Sequence, residues 1–231
     1  MTSIKQQDDL SISEDGAVQK LAEKDSARLI VVSDSHGSTN IIISIIKRFG
    51  YNADALCFCG DGIRDLLDSI KNYSADSWLM KLLPNVIMFV RGNNDNSHYN
   101  MITDKHIEIK VPVEQIFTAA GKRIYITHGH SHDVYYGTKQ LVTTATEKNA
   151  NLVFYGHTHI SNLQHKHGIT ILNPGSCSLP RSGLPLTFAV VDLKKDSDKA
   201  ECSYYEIGWN QNGDLEFIPY NPSTKEINLL W

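Results

Sequence analysis

The chain has 231 residues, of which 41% are hydrophobic and 21% charged, and its net charge is −4. That length buries a substantial core without disulfides or structural metals, and the composition excludes a wholly disordered, collagen-like or coiled-coil chain. Residues 1–27 hold six acids against three lysines, so the remaining body is almost neutral and a long nucleic acid is not expected as a partner.

Taken in chain order, residues 1–27 are polar, acidic and without sustained period, and are expected to form a loosely ordered extension with a short helix near Val18–Ala22. The domain, 28–231, starts at Arg28. Short β-rich runs then alternate with helical patterns: Leu29–Ser33, a helix over Thr39–Phe49, and Ala55–Cys59, the signature of a βαβ unit. Ile63, Leu66, Leu67 and Ile70 recur at i, i+3, i+4 and i+7, one stripe of an amphipathic helix. Trp78, Leu79, Leu82 and Leu83 make a second apolar cluster before Pro84, and Val86–Val90 is the third strand. Beyond Asn100 strands come in succession, at Ile107–Val111, Glu114–Thr118 and Arg123–Thr127, which predicts a second, partly antiparallel sheet. A helix at Lys139–Lys148 and a strand at Leu152–Tyr155 restore the alternation. Strands at Ser161–His165, Thr170–Asn173, Thr187–Leu193 and Cys202–Gly208 come next, and Asn212-Gly213 turns a C-terminal hairpin into Leu215–Tyr220.

No apolar run approaches the roughly 20 residues of a membrane-spanning helix, and the N-terminus lacks the pattern of a secretory signal, so a cytoplasmic protein with no membrane partner is expected. The four cysteines show no paired CxxC spacing and read as reduced thiols, with Cys57 and Cys59 on one face of a core strand.

Five of the apolar runs end in polar clusters: Asp34-Ser35-His36, Gly60-Asp61, Arg91-Gly92-Asn93-Asn94-Asp95, His128-Gly129-His130 and Gly156-His157-Thr158-His159. In open α/β sheets the groups just past the carboxyl ends of strands converge on one crevice, so clusters scattered in sequence meet in space. What converges is two carboxylates, an amide oxygen and several imidazoles with no thiolate, the ligand set of a hard-to-borderline metal such as Mn, Fe, Ni or Zn. One metal needs fewer groups than this. Two divalent cations less two aspartates leave about +2, a balance that attracts phosphate and acidifies a bound water into a hydroxide nucleophile. Each residue has a plainer use alone: Asp34 and Ser35 as helix caps, Asp61 and Asn93 as turn formers, single histidines as ordinary surface or core residues.

Asp-x-His, Gly-Asp, Gly-Asn-x-Asp, His and Gly-His-x-His in this order resemble the calcineurin-like metallophosphoesterase superfamily, from about Leu29 to Pro180. With Asn173-Pro174-Gly175-Ser176, the short chain looks most like the small prokaryotic phosphodiesterases, whose fold also serves the retromer scaffold subunit. The resemblance implies a four-layer α/β/β/α sandwich of two mixed sheets flanked by helices, and a binuclear centre that hydrolyses a small phosphate ester, a diester before a monoester. Asp34, His36, Asp61 and His159 would hold the first metal and Asp61, Asn93, His128 and His157 the second, manganese before nickel, iron or zinc. His130 either contacts substrate or a metal-bound water, or orients His128. Asn94 stands where many relatives carry a histidine thought to protonate the leaving oxygen, and Asp95 orients the loop presenting Asn93. Arg181, then Arg64 and Arg91, are candidate phosphate clamps. A metal-binding interaction scaffold on the same fold is the alternative function, a nuclease would carry added basic surface, and homo-oligomerisation stays open.

Overall fold

The computed structural model describes residues 5–75, 79–102 and 106–225. In chain order the elements are β1 (Lys5–Gln6), β2 (Ile12–Ser13), α1 (Ala17–Glu23), β3 (Ser26–Val32), α2 (Thr39–Phe49), β4 (Ala55–Phe58), α3 (Ile63–Ser74) and β5 (Val86–Phe89). They continue as β6 (His98–Ile102), β7 (His106–Lys110), β8 (Glu114–Ala119), β9 (Lys122–Thr127), α4 (Lys139–Glu147), β10 (Leu152–Phe154) and β11 (Ser161–Lys166). The last four strands are β12 (Ile169–Pro174), β13 (Thr187–Lys194), β14 (Glu201–Trp209) and β15 (Leu215–Tyr220).

Two mixed sheets carry the fold, one ordered β1-β2-β5-β4-β3-β13-β14-β15 and the other β11-β12-β10-β9-β8, with β6 and β7 as a separate hairpin. Strands β3, β4 and β5 run parallel in register, Val31 beside Cys57 and Cys57 beside Met88, and β9, β10 and β12 are the parallel centre of the second sheet. Their apolar runs are continuous because both faces are buried. Successive side chains alternate between layers: Ile30, Val32, Leu56 and Phe58 pack under α2 and α3, whereas Leu29, Val31, Ala55, Cys57 and Cys59 meet Ile124, Ile126, Phe154 and Leu172 of the second sheet. On the far side Tyr125, Val153 and Tyr155 pack against Leu141, Val142 and Ala145 of α4. The result is helix, sheet, sheet, helix, the four-layer sandwich expected. Fully burying each such aliphatic or aromatic side chain stabilises the fold by about 1.5–3 kcal/mol before ordering costs.

The leader has the short helix expected near Val18–Ala22, as α1, but departs from expectation in being packed on the domain. Residues 5–24 are packed: β2 pairs antiparallel with β5 at Ile12–Ile87 and Ser13–Val86, and Ile12 and Leu21 are buried. Backbone N–H groups of Ala120 and Gly121 donate to the carbonyls of Leu21 and Ala22, and Gln115 bridges the leader to β5, donating to Asp9 and accepting from Phe89 N–H. Physically, the leader satisfies an otherwise open sheet edge, and strands of two residues are too short to display a period. β6 has no counterpart among the expected strands, while β7 matches the expected run closely. Leu79 and Leu82 pack on the helical-side core and Leu83 is buried in it; Trp78 lies outside the described residues. Among the described residues no helix is long and apolar enough to cross a membrane.

Candidate metal centre

The loops leaving β3, β4, β5, β9 and β10 bring Asp34, His36, Asp61, Asn93, His128, His157 and His159 to one end of the paired sheets. Asp34, His36, Asp61 and His159 each put one donor atom within 4.8 Å of all the others. His36 Nε2 lies 3.2 Å from His159 Nε2 and 3.9 Å from a carboxylate oxygen of both Asp34 and Asp61. On the other flank His128 Nε2 stands 3.2 Å from Asn93 Oδ1 and 3.5 Å from Asp61 Oδ2, and the His157 ring centroid is 5.0 Å from that of His128. Asp61 therefore faces both flanks. Asp34, Asp61 and His128 are buried, while His36 and Asn93 are exposed, so the cluster opens to solvent on one side.

Local backbone geometry is unusual. Asp34, His36, Asp61, His157 and His159 all have φ between 40° and 68°, the left-handed region that costs a non-glycine residue about 1–3 kcal/mol. Such conformations persist only where surroundings hold them. Glycines give the room: a Cβ on Gly92 would sit 2.0 Å from Asp61 Oδ1, and one on Gly156 2.0 Å from Ser33 Oγ. Asp95 gathers the N–H groups of Asp61, Gly62, Ile63 and Gly92 at 2.7–3.0 Å, tying the Asp61 and Asn93 loops and the start of α3 to one carboxylate. Asp65 accepts from Ser35 Oγ, Gly37 N–H and Thr39 Oγ1, holding the His36 loop. Asn173 donates to the Gly156 carbonyl and Thr158 Oγ1, and Ser176 Oγ donates to the Asp34 carbonyl, so the Asn-Pro-Gly-Ser turn is a scaffold.

Protonation is set by the same contacts. His128 Nδ1 meets the Cys59 carbonyl at 2.7 Å and His159 Nδ1 the Leu179 carbonyl at 2.5 Å. Both rings thus donate outward and turn Nε2 inward. In the neutral rings, acceptors then face acceptors: His128 Nε2 against Asn93 Oδ1, His159 Nε2 against Asp34 Oδ1 at 3.3 Å, an oxygen buried without another hydrogen-bond partner among the described residues. Facing lone pairs and buried carboxylates call for a cation, and the donor chemistry fits a hard-to-borderline divalent metal. Without one, protons take its place. Burial lowers the His128 and His159 pKa values, but hydrogen bonds and charge from Asp61 and Asp34 outweigh it and raise both. Burial pushes the Asp61 carboxyl up, yet His128 and the Asn94 donors hold it well below the usual range. Burial and the charge of His128 push His157 down to about 4.

Around these ligand candidates, Asn94 donates from N–H and Nδ2 to the two oxygens of Asp61 at 2.8 and 2.6 Å. The His130 ring centroid is 5.5 Å from that of His128, its Nδ1 is buried without a hydrogen-bond partner among the described residues, and burial lowers its pKa. Arg181 is brought alongside, its N–H donating to the His159 carbonyl at 3.3 Å. Arg64 is exposed on α3 and lies over the Tyr99 ring. Tyr135, Asp65 and the supporting role of Asn173 do not emerge from the sequence. Tyr135 carries no signal that separates it from its exposed neighbour Tyr136, and Asp65 reads as an ordinary first-turn acid.

Residues 28–196 match the model of the calcineurin-like phosphoesterase superfamily domain. Bacillus subtilis YsnB, named a probable metallophosphoesterase, is 26% identical over 189 residues, 81% of this chain and 96% of its own. Escherichia coli K12 phosphodiesterase YfcE is 29% identical over 170 residues, 71% of this chain and 87% of its own. Entamoeba histolytica Vps29 complexed with zinc shares the fold, with TM-score 0.56 and 17% identity over 87% of this chain and 99% of that one.

Proposed function

The chain belongs to the calcineurin-like phosphoesterase superfamily, and on that premise we propose that it hydrolyses a small phosphate ester, a diester in preference to a monoester, with two divalent cations. Asp34, His36, Asp61 and His159 would hold one cation, and Asp61, Asn93, His128 and His157 the other, with Asp61 shared. When bound, the pair supplies positive charge to phosphoryl oxygens and acidifies a water. Manganese is the first candidate, with nickel, iron and zinc behind it.

The residues of the chain do the rest. Outward N–H donation from His128 and His159 keeps their inward nitrogens available as ligands. Asp95 fixes the spacing of the Asp61 and Asn93 loops, a positioning task. Asn94 is committed to Asp61 and, as an amide, cannot give up a proton near neutral pH. The leaving oxygen is therefore assigned to His130, whose ring stands 5.5 Å from that of His128 at the edge of the cluster. Arg181 is assigned to the non-bridging phosphate oxygens, whose geometry its planar fork matches.

The single observation that carries this reading is the convergence of donor atoms from Asp34, His36, Asp61 and His159, with buried Asp34 Oδ1 left without a hydrogen-bond partner among the described residues when His159 is neutral. Neither fold nor metal binding alone separates an esterase from an interaction scaffold, since Vps29 has the fold and was solved with zinc. The test must read turnover: aryl mono- and diesters are offered to protein loaded separately with Mn, Ni, Zn or Fe. Diester hydrolysis that chelation abolishes is expected; stoichiometric metal uptake with no hydrolysis of any ester would favour the scaffold.

A further inference from the structure

Tyr135 stands in the short turn Val134–Tyr136, seven residues past His128. Its ring centroid lies 4.8 Å from that of His157, and its hydroxyl donates to the His157 carbonyl at 3.0 Å. With its one proton spent there, the phenol oxygen can only accept. What it accepts is an N–H from Arg181 Nη1, and the guanidinium carbon sits 5.6 Å from the ring centroid. Arg181 is held from its other end too. Its own N–H donates to His159, and two residues earlier the Leu179 carbonyl takes His159 Nδ1. Among the described residues no carboxylate pairs with Arg181, so its charge and its remaining N–H groups are left for an anion.

We propose that Tyr135 is a positioning residue for phosphate: it fixes the Arg181 guanidinium against the loop carrying His157 and His159, so that the fork is already aimed when a phosphodiester arrives. The inference rests on the phosphoesterase reading above and deepens it. A flexible arginine must otherwise give up its rotamer freedom on each binding event, and that loss falls on substrate affinity. The guanidinium hydrogen-bonded to the phenol has surrendered it in advance. A tyrosine that merely filled space would show no such dependence on its hydroxyl.

The test compares wild type, Tyr135→Phe, Arg181→Gln and the double variant on bis(p-nitrophenyl) phosphate, with inorganic phosphate as a competitive inhibitor. Losing a hydrogen bond to a charged group costs about ten-fold or more. We expect KM and the phosphate inhibition constant to rise about ten-fold in Tyr135→Phe, with kcat within about two-fold and the folded state retained. The double variant should be no worse than Arg181→Gln alone, because the phenol acts through the guanidinium. Arg181→Lys, which keeps the charge and loses the fork, should show the same KM defect and is the second probe if Tyr135→Phe folds poorly. An unchanged KM in Tyr135→Phe, losses that multiply in the double variant, or a fall in kcat alone would each overturn the proposal. No hydrolysis by wild type with any of the four metals would overturn the underlying reading and this inference with it, an outcome distinct from those three.

Discussion

Asp61 takes two hydrogen bonds from Asn94, faces His36 and His128 at 3.9 and 3.5 Å, and is nearly inaccessible to water. Asp61→Asn keeps the shape and removes the anion. Metal content is expected to drop below that of wild type and diester turnover to fall at least about 100-fold; wild-type values of both would contradict a shared carboxylate. Protons compete for the same cluster. His128 and His159 have pKa values raised above the ordinary 6.5 in the metal-free protein, so at pH 6 each carries a proton that an incoming cation must displace, whereas His157, at about 4, carries almost none. Metal affinity should therefore rise with pH, and uptake at pH 6 should release more protons than uptake at pH 8.5. Calorimetry in buffers of different ionisation enthalpy reads that release directly, and identical heats in all buffers at pH 6 would count against it. The same shifts act on stability with opposite signs. The raised pair stabilises the metal-free fold below about 6.5 and loses that contribution as pH rises through the folded values. His157 opposes it, destabilising the fold as pH falls from about 6.5 toward 4.

Among the elements, α3 and the loops before it depend on one side chain. Asp95 receives four backbone N–H groups, two of them at Gly62 and Ile63, where α3 begins without an N-cap side chain of its own. Asp95→Ala leaves those donors without their charged acceptor, and a loss of about 3 kcal/mol in the metal-free protein is expected from chemical denaturation. The expected companion effect is weaker metal binding, because the Asp61 and Asn93 loops lose their common anchor. A stability change under about 0.5 kcal/mol would show that water replaces the carboxylate without cost.

For the whole molecule, the leader is part of the sandwich. Ile12 and Leu21 are buried against different elements, and their burial is worth about 1.5–3 kcal/mol each. Removing residues 1–24 should cost about 3 kcal/mol once the ordering entropy regained is allowed for, equivalent to about 10 °C in Tm for a domain of this size. Calorimetry of the truncated chain checks it; an unchanged Tm would mean that the β5 edge and the α1 contact add nothing to stability.

Strand positions, helices such as α2 and α3, and the presence of metal-ligand residue types at five strand ends were legible in the sequence. Burial on both faces of a sheet demands continuous apolar runs, and parallel chain direction carries the residues after each run to the same end of the sheet. The four-layer order and the division of ligands came from family resemblance, not from periodicity. Only the tertiary structure decided which ring nitrogens of His128 and His159 turn inward, since that is set by carbonyls at Cys59 and Leu179 far away in sequence. It also placed Arg181 beside the cluster and Arg64 over Tyr99, joined Tyr135 to His157, and packed a leader whose strands of two residues carry no period. These are through-space contacts between loops, and local sequence pattern records the period of an element, not the partner its loops will meet.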